Sequence, residues 1–212
     1  MMMKKLLITG LITVLSLVVM STGCDQRQAS GLKEYTVTCT LDSKIEHDSA
    51  TLLVLEEDYN KLRVCGTAQA HDGTFSFKGQ IDGPHAAIIR WGNDSTKPFH
   101  FVLQAGNIHI VMKPGAWRIS GSKLNSEYQQ FIHKRNAIMN ARVATWQDYL
   151  NAAAKSSLKL EDEVRLVKQD SLLNDSLQRI TVERINRGDA VGRIIRERFA
   201  GQLDQQHARM LH

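Results

Sequence analysis

The chain has little of what usually marks a specialised sequence. Only three cysteines and three prolines stand among 212 residues, and no two cysteines sit at C-x-x-C spacing. That excludes a disulfide-stapled scaffold and gives no cysteine the context of a redox nucleophile. Aromatics make up 6% and glycine is neither abundant nor periodic, so collagen-like and low-complexity classes fall away. With 23% charged and 42% hydrophobic residues, the chain has the balance of a globular protein. It is neither a disordered tail nor a many-spanning membrane protein.

What is there is unevenly placed. Met1 to Lys5 form a short basic start, and Leu6 to Met20 are an uncharged apolar run, followed by Ser21, Thr22, Gly23 and Cys24. Crossing a bilayer takes about 20 apolar residues, whereas an apolar run of about 7–15 is signal-peptide length. Small residues leading into a cysteine resemble a bacterial lipobox, in which the cysteine is acylated and becomes the new N-terminus. Ser21 stands where such boxes most often carry leucine. The alternatives are an ordinary cleaved signal or an uncleaved anchor, with Cys24 uninvolved. The reading is a lipoprotein signal over 1–23 and a polar tether over 24–32. Without residues 1–23 the formal charge falls from +5 to +3, because Lys4 and Lys5 go and no acid does. So small a surplus does not predict nucleic-acid binding. Membrane lipid, reached through acylated Cys24, is the expected partner, since two or more acyl chains hold a protein durably. Asp25 fits one rule for inner-membrane retention that is not universal, so the expected location is the cell envelope of a Gram-negative-type bacterium, periplasmic or surface-facing.

Past the tether the composition splits. Residues 33–121 hold all three prolines (Pro84, Pro98, Pro114) and most of the glycines, while residues 122–212 hold no proline. Turn formers precede helix formers, which predicts a β domain over 33–121 and a helical region over 122–212. Tyr35 to Leu41 alternates, placing Tyr35, Val37, Cys39 and Leu41 on one face. Thr51 to Leu55 is a second strand. Asp72-Gly73 predicts a two-residue hairpin with Ala70 opposite Phe75, Ala68 opposite Phe77, Gly66 opposite Gly79 and Val64 opposite Ile81. The other face is polar throughout, from Cys65 to Gln80, so a one-residue slip would bury it. Ala86 to Trp91 follows. Phe99 to Gln104 and Asn107 to Met112 predict another hairpin, with Phe101, Leu103, Ile108 and Ile110 inward and His100, Val102, His109 and Val111 outward. Trp117 to Ser120 closes the series. The expected fold class is α+β: an antiparallel β-sandwich or small open barrel of about eight strands, then about three helices.

After Gly121 the apolar period lengthens. Leu124, Tyr128, Phe131, Ile132, Ile138, Met139, Val143, Trp146 and Leu150 recur at three- and four-residue steps along one face of a long helix, with Ser122 as its N-cap. Leu160 to Ile185 and Ala190 to Leu211 predict two more helical stretches, divided at Arg187-Gly188-Asp189.

Few residue types gather in a way that chemistry requires. By parity Cys39 points inward and Cys65 outward, which predicts two separate thiols; a bulge is the one route to a bond between them. The eight histidines show no H-E-x-x-H or H-x-H pattern. His100 and His109 share the outer face of the second predicted hairpin, but two imidazoles without a third ligand make no zinc site. Glu56, Glu57 and Asp58 read as a solvated turn. Arg193, Arg196 and Arg198, interleaved with Glu197, read as an ion-paired surface. There is no phosphate-binding loop, dinucleotide fingerprint or nucleophile elbow. No catalytic residue, metal ligand or cofactor is assigned; the one candidate site residue is Cys24, for lipidation.

Three stretches together resemble a known family: Asp72 to Gly79 (DGTFSFKG), Phe101 to Ile110 (FVLQAGNIHI) and Ile119 to Phe131 (ISGSKLNSEYQQF). They resemble the β-rich N-terminal domain of unknown function of bacterial thiol:disulfide interchange lipoproteins. In that family a lipoprotein signal precedes the β domain, and a helical segment and a thioredoxin-like domain follow it. The resemblance spans about residues 33–131, and more loosely the helices. Gln104 stands where the family usually has an acid, and Cys39 where it often has glycine. No C-x-x-C is present before His212, where a thioredoxin-like domain would begin, so the family's redox activity carries over to no residue here. The resemblance implies the architecture, the envelope location and a binding role. The expected function is therefore a membrane-anchored, non-catalytic binding or adaptor module. The alternatives are an accessory subunit docking a thioredoxin-like protein, and an enzyme with a site built from scattered polar residues.

Overall fold

A computed structural model describes residues 31–42, 47–56, 61–92, 94–155 and 159–212. The apolar run and Cys24 lie outside them. Eight strands are present: β1 (Lys33–Leu41), β2 (Ser49–Leu55), β3 (Leu62–Gln69), β4 (Thr74–Ile81), β5 (His85–Trp91), β6 (Asp94–Leu103), β7 (Gly106–Lys113) and β8 (Ala116–Ser120). Four helices follow: α1 (Lys123–Ala154), α2 (Leu160–Ile185), α3 (Ala190–Phe199) and α4 (Gln205–Ala208). The strands form two four-stranded sheets, in the orders β4-β1-β7-β8 and β3-β2-β5-β6. The architecture is thus the α+β sandwich expected, except that β1 and β7 pair in parallel.

Both predicted hairpins are corrected in one way: each turn carries the chain from one sheet to the other. Asp72 and Gly73 do form a tight turn, with φ of 49° and 69°. His71 and Thr74 exchange two backbone bonds of 2.9 Å across it. Two positive φ values in succession are what a two-residue primed turn demands. Beyond that bridge the strands part, β3 to pair with β2 and β4 with β1. The small-against-large matching read within a hairpin is met in other ways. A Cβ on Gly66 would lie 3.8 Å from the Phe77 ring, and Gly79 opposes Tyr35 on β1, whose ring occupies the space a side chain would need. Similarly, β6 pairs with β5 while β7 pairs with β1 and β8, so His100 and His109 stand in different sheets.

Alternation still places most of the interior, but not on β3, where the bulge leaves Val64, expected on the apolar face, exposed. Val37, Cys39, Phe75, Phe101, Leu103 and Ile110 are all buried between the sheets. A second core lies on the outer face of the β3-β2-β5-β6 sheet. There Ala86 and Val102 meet Tyr128 and Phe131 of α1 and Ile194, Ile195 and Phe199 of α3. Val102, expected to face outward, is wholly buried for this reason. The helices shield this face of β5 and β6, and a strand covered on both faces loses its polar alternation.

Ser122 caps α1 as read, its hydroxyl accepting from Asn125 N at 3.1 Å. Asp189 caps α3 in the same way through Gly192 N at 2.8 Å. The third helical stretch is broken rather than continuous. A short 3₁₀ turn at Ala200–Gln202 follows α3, and Asp204 caps α4 through His207 N at 2.9 Å. Gly201 is a poor helix former, and Asp204 offers a fresh start. In the distal halves of α1 and α2 part of the apolar stripe stays exposed. Val143, Trp146 and Leu150, expected on the core face, are exposed, as are Leu160, Val164 and Val167. Among the described residues, no helix is long and apolar enough to cross a membrane.

Candidate functional site

The edge of β6 sets up the site. Asn125 of α1 is fully buried, and its side-chain amide acts as a strand would. Its Oδ1 accepts from Val102 N and its Nδ2 donates to Val102 O, both at 2.8 Å. One helical turn later, Gln129 Nε2 donates to His100 O at 3.3 Å. Four helical residues rise about 6.0 Å and two strand residues about 6.8 Å, so an i, i+4 pair on the helix matches alternate residues of the strand. The helix thereby covers an edge that would otherwise invite pairing.

This docking places Tyr128, one residue before Gln129, over the outer face of the sheet. Ile88 and His100 are cross-strand partners on β5 and β6. With Leu55, Leu62 and Ala86 they floor a cavity of about 380 Å³, closed by Tyr128, Glu197 and Arg198. The Arg198 guanidinium donates through Nη1 to the Tyr128 hydroxyl. It also lies 4.9 Å from the centre of the Phe199 ring, while the Arg135 guanidinium lies 4.3 Å from the same ring. Arg135 Nη2 donates to the neutral Gln202 amide at 2.7 Å. Two cations therefore share one aromatic ring, and burial and the nearby Arg198 charge both pull the Arg135 pKa down.

The other polar groups are tuned by burial. Burial and the Arg198 charge lower the His100 pKa to about 4, so the imidazole is neutral at ordinary pH. Burial raises the Tyr128 hydroxyl, against the opposing pull of Arg198. The site thus combines one guanidinium, one neutral imidazole, one phenol, the Glu197 carboxylate and an aliphatic floor. The guanidinium, imidazole and phenol can orient an anionic oxygen by hydrogen bonds.

A second opening, of about 430 Å³, lies between α1 and α2 and is lined by Glu127, Lys134, Glu183, Arg184, Arg187 and Asp189. Its least exposed cation is already paired. Arg184, nearly buried, holds Asp189 at 2.7 Å and Glu127 at 3.2 Å, tying the end of α2 to α1 and to the cap of α3.

Cys24, the one site residue assigned from sequence, lies outside the described residues. The parity reading of the other thiols is corrected at Cys65. A register shift between Leu52 and Leu53 opposes Gly66 and Val64, so Cys65 is the bulged residue and packs against the sandwich core. Cys39 and Cys65 are nevertheless both free. Burial pushes the Cys39 thiol up to about 12 and raises that of Cys65, where Arg63 opposes it. A neutral maleimide is therefore expected to label Cys65 on the folded protein at least about 100-fold faster than Cys39. Mass spectrometry of the tryptic peptides checks this, and equal rates contradict the burial of Cys39.

Sequence reasoning missed Asn125, Tyr128, His100 and Arg198 as one constellation. Arg198 was read as part of an ion-paired surface, whereas it turns inward onto Tyr128. Residues 35–128 match the family model of a domain of unknown function (DUF4369). No curated protein matches the chain. The matched segment runs from the middle of β1 to Tyr128, so it includes Asn125 and His100 and leaves Arg198 to the helices beyond it.

Proposed function

We propose that this chain is an envelope lipoprotein that binds a ligand without transforming it. Acyl chains on Cys24 hold it to the membrane, and the cavity floored by Ile88 and His100 and closed by Tyr128 and Arg198 is its binding site. The observation that carries the binding role is that cavity, where Arg198, bonded to the Tyr128 hydroxyl, opens onto aliphatic walls. Surface of this kind, concave and apolar with a few convergent polar groups, is what small-molecule sites are made of. An accessory role beside a separately encoded thioredoxin-like protein is the alternative; such a protein would have to bring its own reactive thiols, since Cys39 is deeply buried.

The anchor is tested by fractionation. Cys24→Ala is expected to move the protein from membrane to soluble fraction by about tenfold or more, and to abolish incorporation of labelled palmitate. Unchanged partitioning overturns the lipid anchor. A pull-down of the tagged, lipidated protein that recovers a thioredoxin-like protein in stoichiometric amount favours the accessory role.

A further inference from the structure

We infer that the cavity between the β3-β2-β5-β6 sheet and α3 takes a small aliphatic monocarboxylate, its carboxylate on Arg198 and its tail along Leu55, Leu62, Ala86 and Ile88. The inference rests on the binding role proposed above and supplies the chemical class of the ligand.

The charge argument comes first. Arg198 is held by neutral groups, the Tyr128 hydroxyl and the Phe199 ring, with the Arg135 guanidinium on the same ring. A guanidinium has five N–H donors in a planar fork, and the Tyr128 hydroxyl takes one from Nη1. A carboxylate accepts two parallel bonds from such a fork, and in a half-buried site charge-assisted bonds are about twice as strong as neutral ones. The same anion would offset the repulsion between the Arg198 and Arg135 guanidiniums, which share the Phe199 ring.

The remaining groups narrow the ligand. Glu197 lines the same rim as Arg198, and a phosphate monoester, with close to two negative charges, fits less well beside a carboxylate than a single carboxylate does. His100 stands on the floor beside Ile88 as a neutral imidazole, able to donate one hydrogen bond without adding charge. Leu55, Leu62, Ala86 and Ile88 make the walls aliphatic, so the tail is a hydrocarbon and not a sugar or a second charged group. A volume of about 380 Å³ is at the small end of ligand pockets, which run from about 300 to 1,000 Å³.

The experiment uses the full chain in phosphatidylcholine nanodiscs and three probes with the same six-carbon tail: hexanoate, hexanol and hexylammonium. Isothermal titration at about pH 7.5, well above the His100 transition, is expected to show hexanoate binding about tenfold tighter than hexanol, with hexylammonium weakest. Arg198→Met should bring hexanoate down to the level of hexanol. Arg198 touches Tyr128 and Phe199, so Leu62→Asp provides a second variant at the exposed mouth. It should weaken hexanoate about fivefold or more by removing apolar wall and adding like charge, with an unchanged melting temperature. Equal binding of hexanoate and hexanol, lost together in Leu62→Asp, overturns the carboxylate while leaving the cavity a binding site. No binding of any probe to the folded protein overturns the ligand class and the binding role together.

Discussion

An Asn125→Leu protein unfolds about 3 kcal/mol more easily than its parent in a urea titration, with the slope of the transition unchanged. Leucine has nearly the same size, so the cavity term is small and the loss is polar. Asn125 is completely buried, and its amide satisfies both Val102 N and Val102 O at 2.8 Å. Removing it leaves a donor and an acceptor of the backbone sealed under α1, each costing about 1–3 kcal/mol. Asn125→Asp keeps the acceptor but faces the Val102 carbonyl with a carboxylate, so it is expected to be at least as damaging. Gln129→Leu serves as the contrast, since its single bond to His100 O is longer, at 3.3 Å, and only partly buried. It should cost less than about 1 kcal/mol. A loss under about 1 kcal/mol in Asn125→Leu would mean that water replaces the amide and that α1 is not pinned to the edge of β6. Because Tyr128 follows on the next turn, the same variant is expected to weaken hexanoate binding, linking the pin to the site.

The strands and long helices were legible because burial leaves a period in the sequence. Val37, Phe77, Leu103 and Ile110 are inward by alternation, and they are inward in the fold. Which strand lies beside which was not legible. Asp72-Gly73 encodes the turn through the φ values its residues tolerate, yet the same turn serves a hairpin or a crossing between sheets. The decision falls to contacts distant in sequence, such as Tyr35 over Gly79. Cys65 was misplaced because a bulge shifts parity by one and nothing in the residues around Leu52 and Leu53 announces it. Val102 was misplaced because outward-facing and helix-covered positions look alike until the helices are docked. The candidate site was the least legible part. It joins His100, Tyr128 and Arg198 from three elements, with Tyr128 and Arg198 alone 70 residues apart. One signal was available: Asn125, a poor residue for the first turns of a helix interior, followed the Ser122 cap and called for a partner outside the helix.

Acidification gives the second large effect, and its sign follows from His100. Burial and Arg198 hold this imidazole neutral down to about pH 4 in the fold, whereas the unfolded chain protonates it near the ordinary value of about 6.5. Between those limits the unfolded state binds more protons, so stability rises with pH. The contribution is complete above about 6.5 and is lost as the pH falls toward 4. The full difference would correspond to about 3 kcal/mol; partial solvent access at the cavity mouth reduces this to about 1–2 kcal/mol. The groups facing His100 are Arg198 and Glu197 of α3 and Tyr128 of α1. Arg198 disfavours the imidazolium, and the Tyr128 hydroxyl stays protonated throughout this range. The carboxyls with lowered pKa values, Asp82, Asp170, Asp189 and Asp204, act in the opposite position on the scale. Their stabilisation is present above the ordinary carboxyl value and is lost only below it, so they leave the window above about pH 4 to the imidazole. Unfolding free energies from urea titrations at about pH 7.5 and 5 should therefore differ by about 1–2 kcal/mol in the parent and by less than half of that in His100→Gln. The same slope in both proteins would show that His100 is solvated as an imidazolium and that the cavity floor is wet. A flat profile in His100→Gln alone would place the proton uptake on the floor of the proposed site, where the carboxylate of a bound ligand would in turn raise the His100 pKa and narrow the acid-sensitive window.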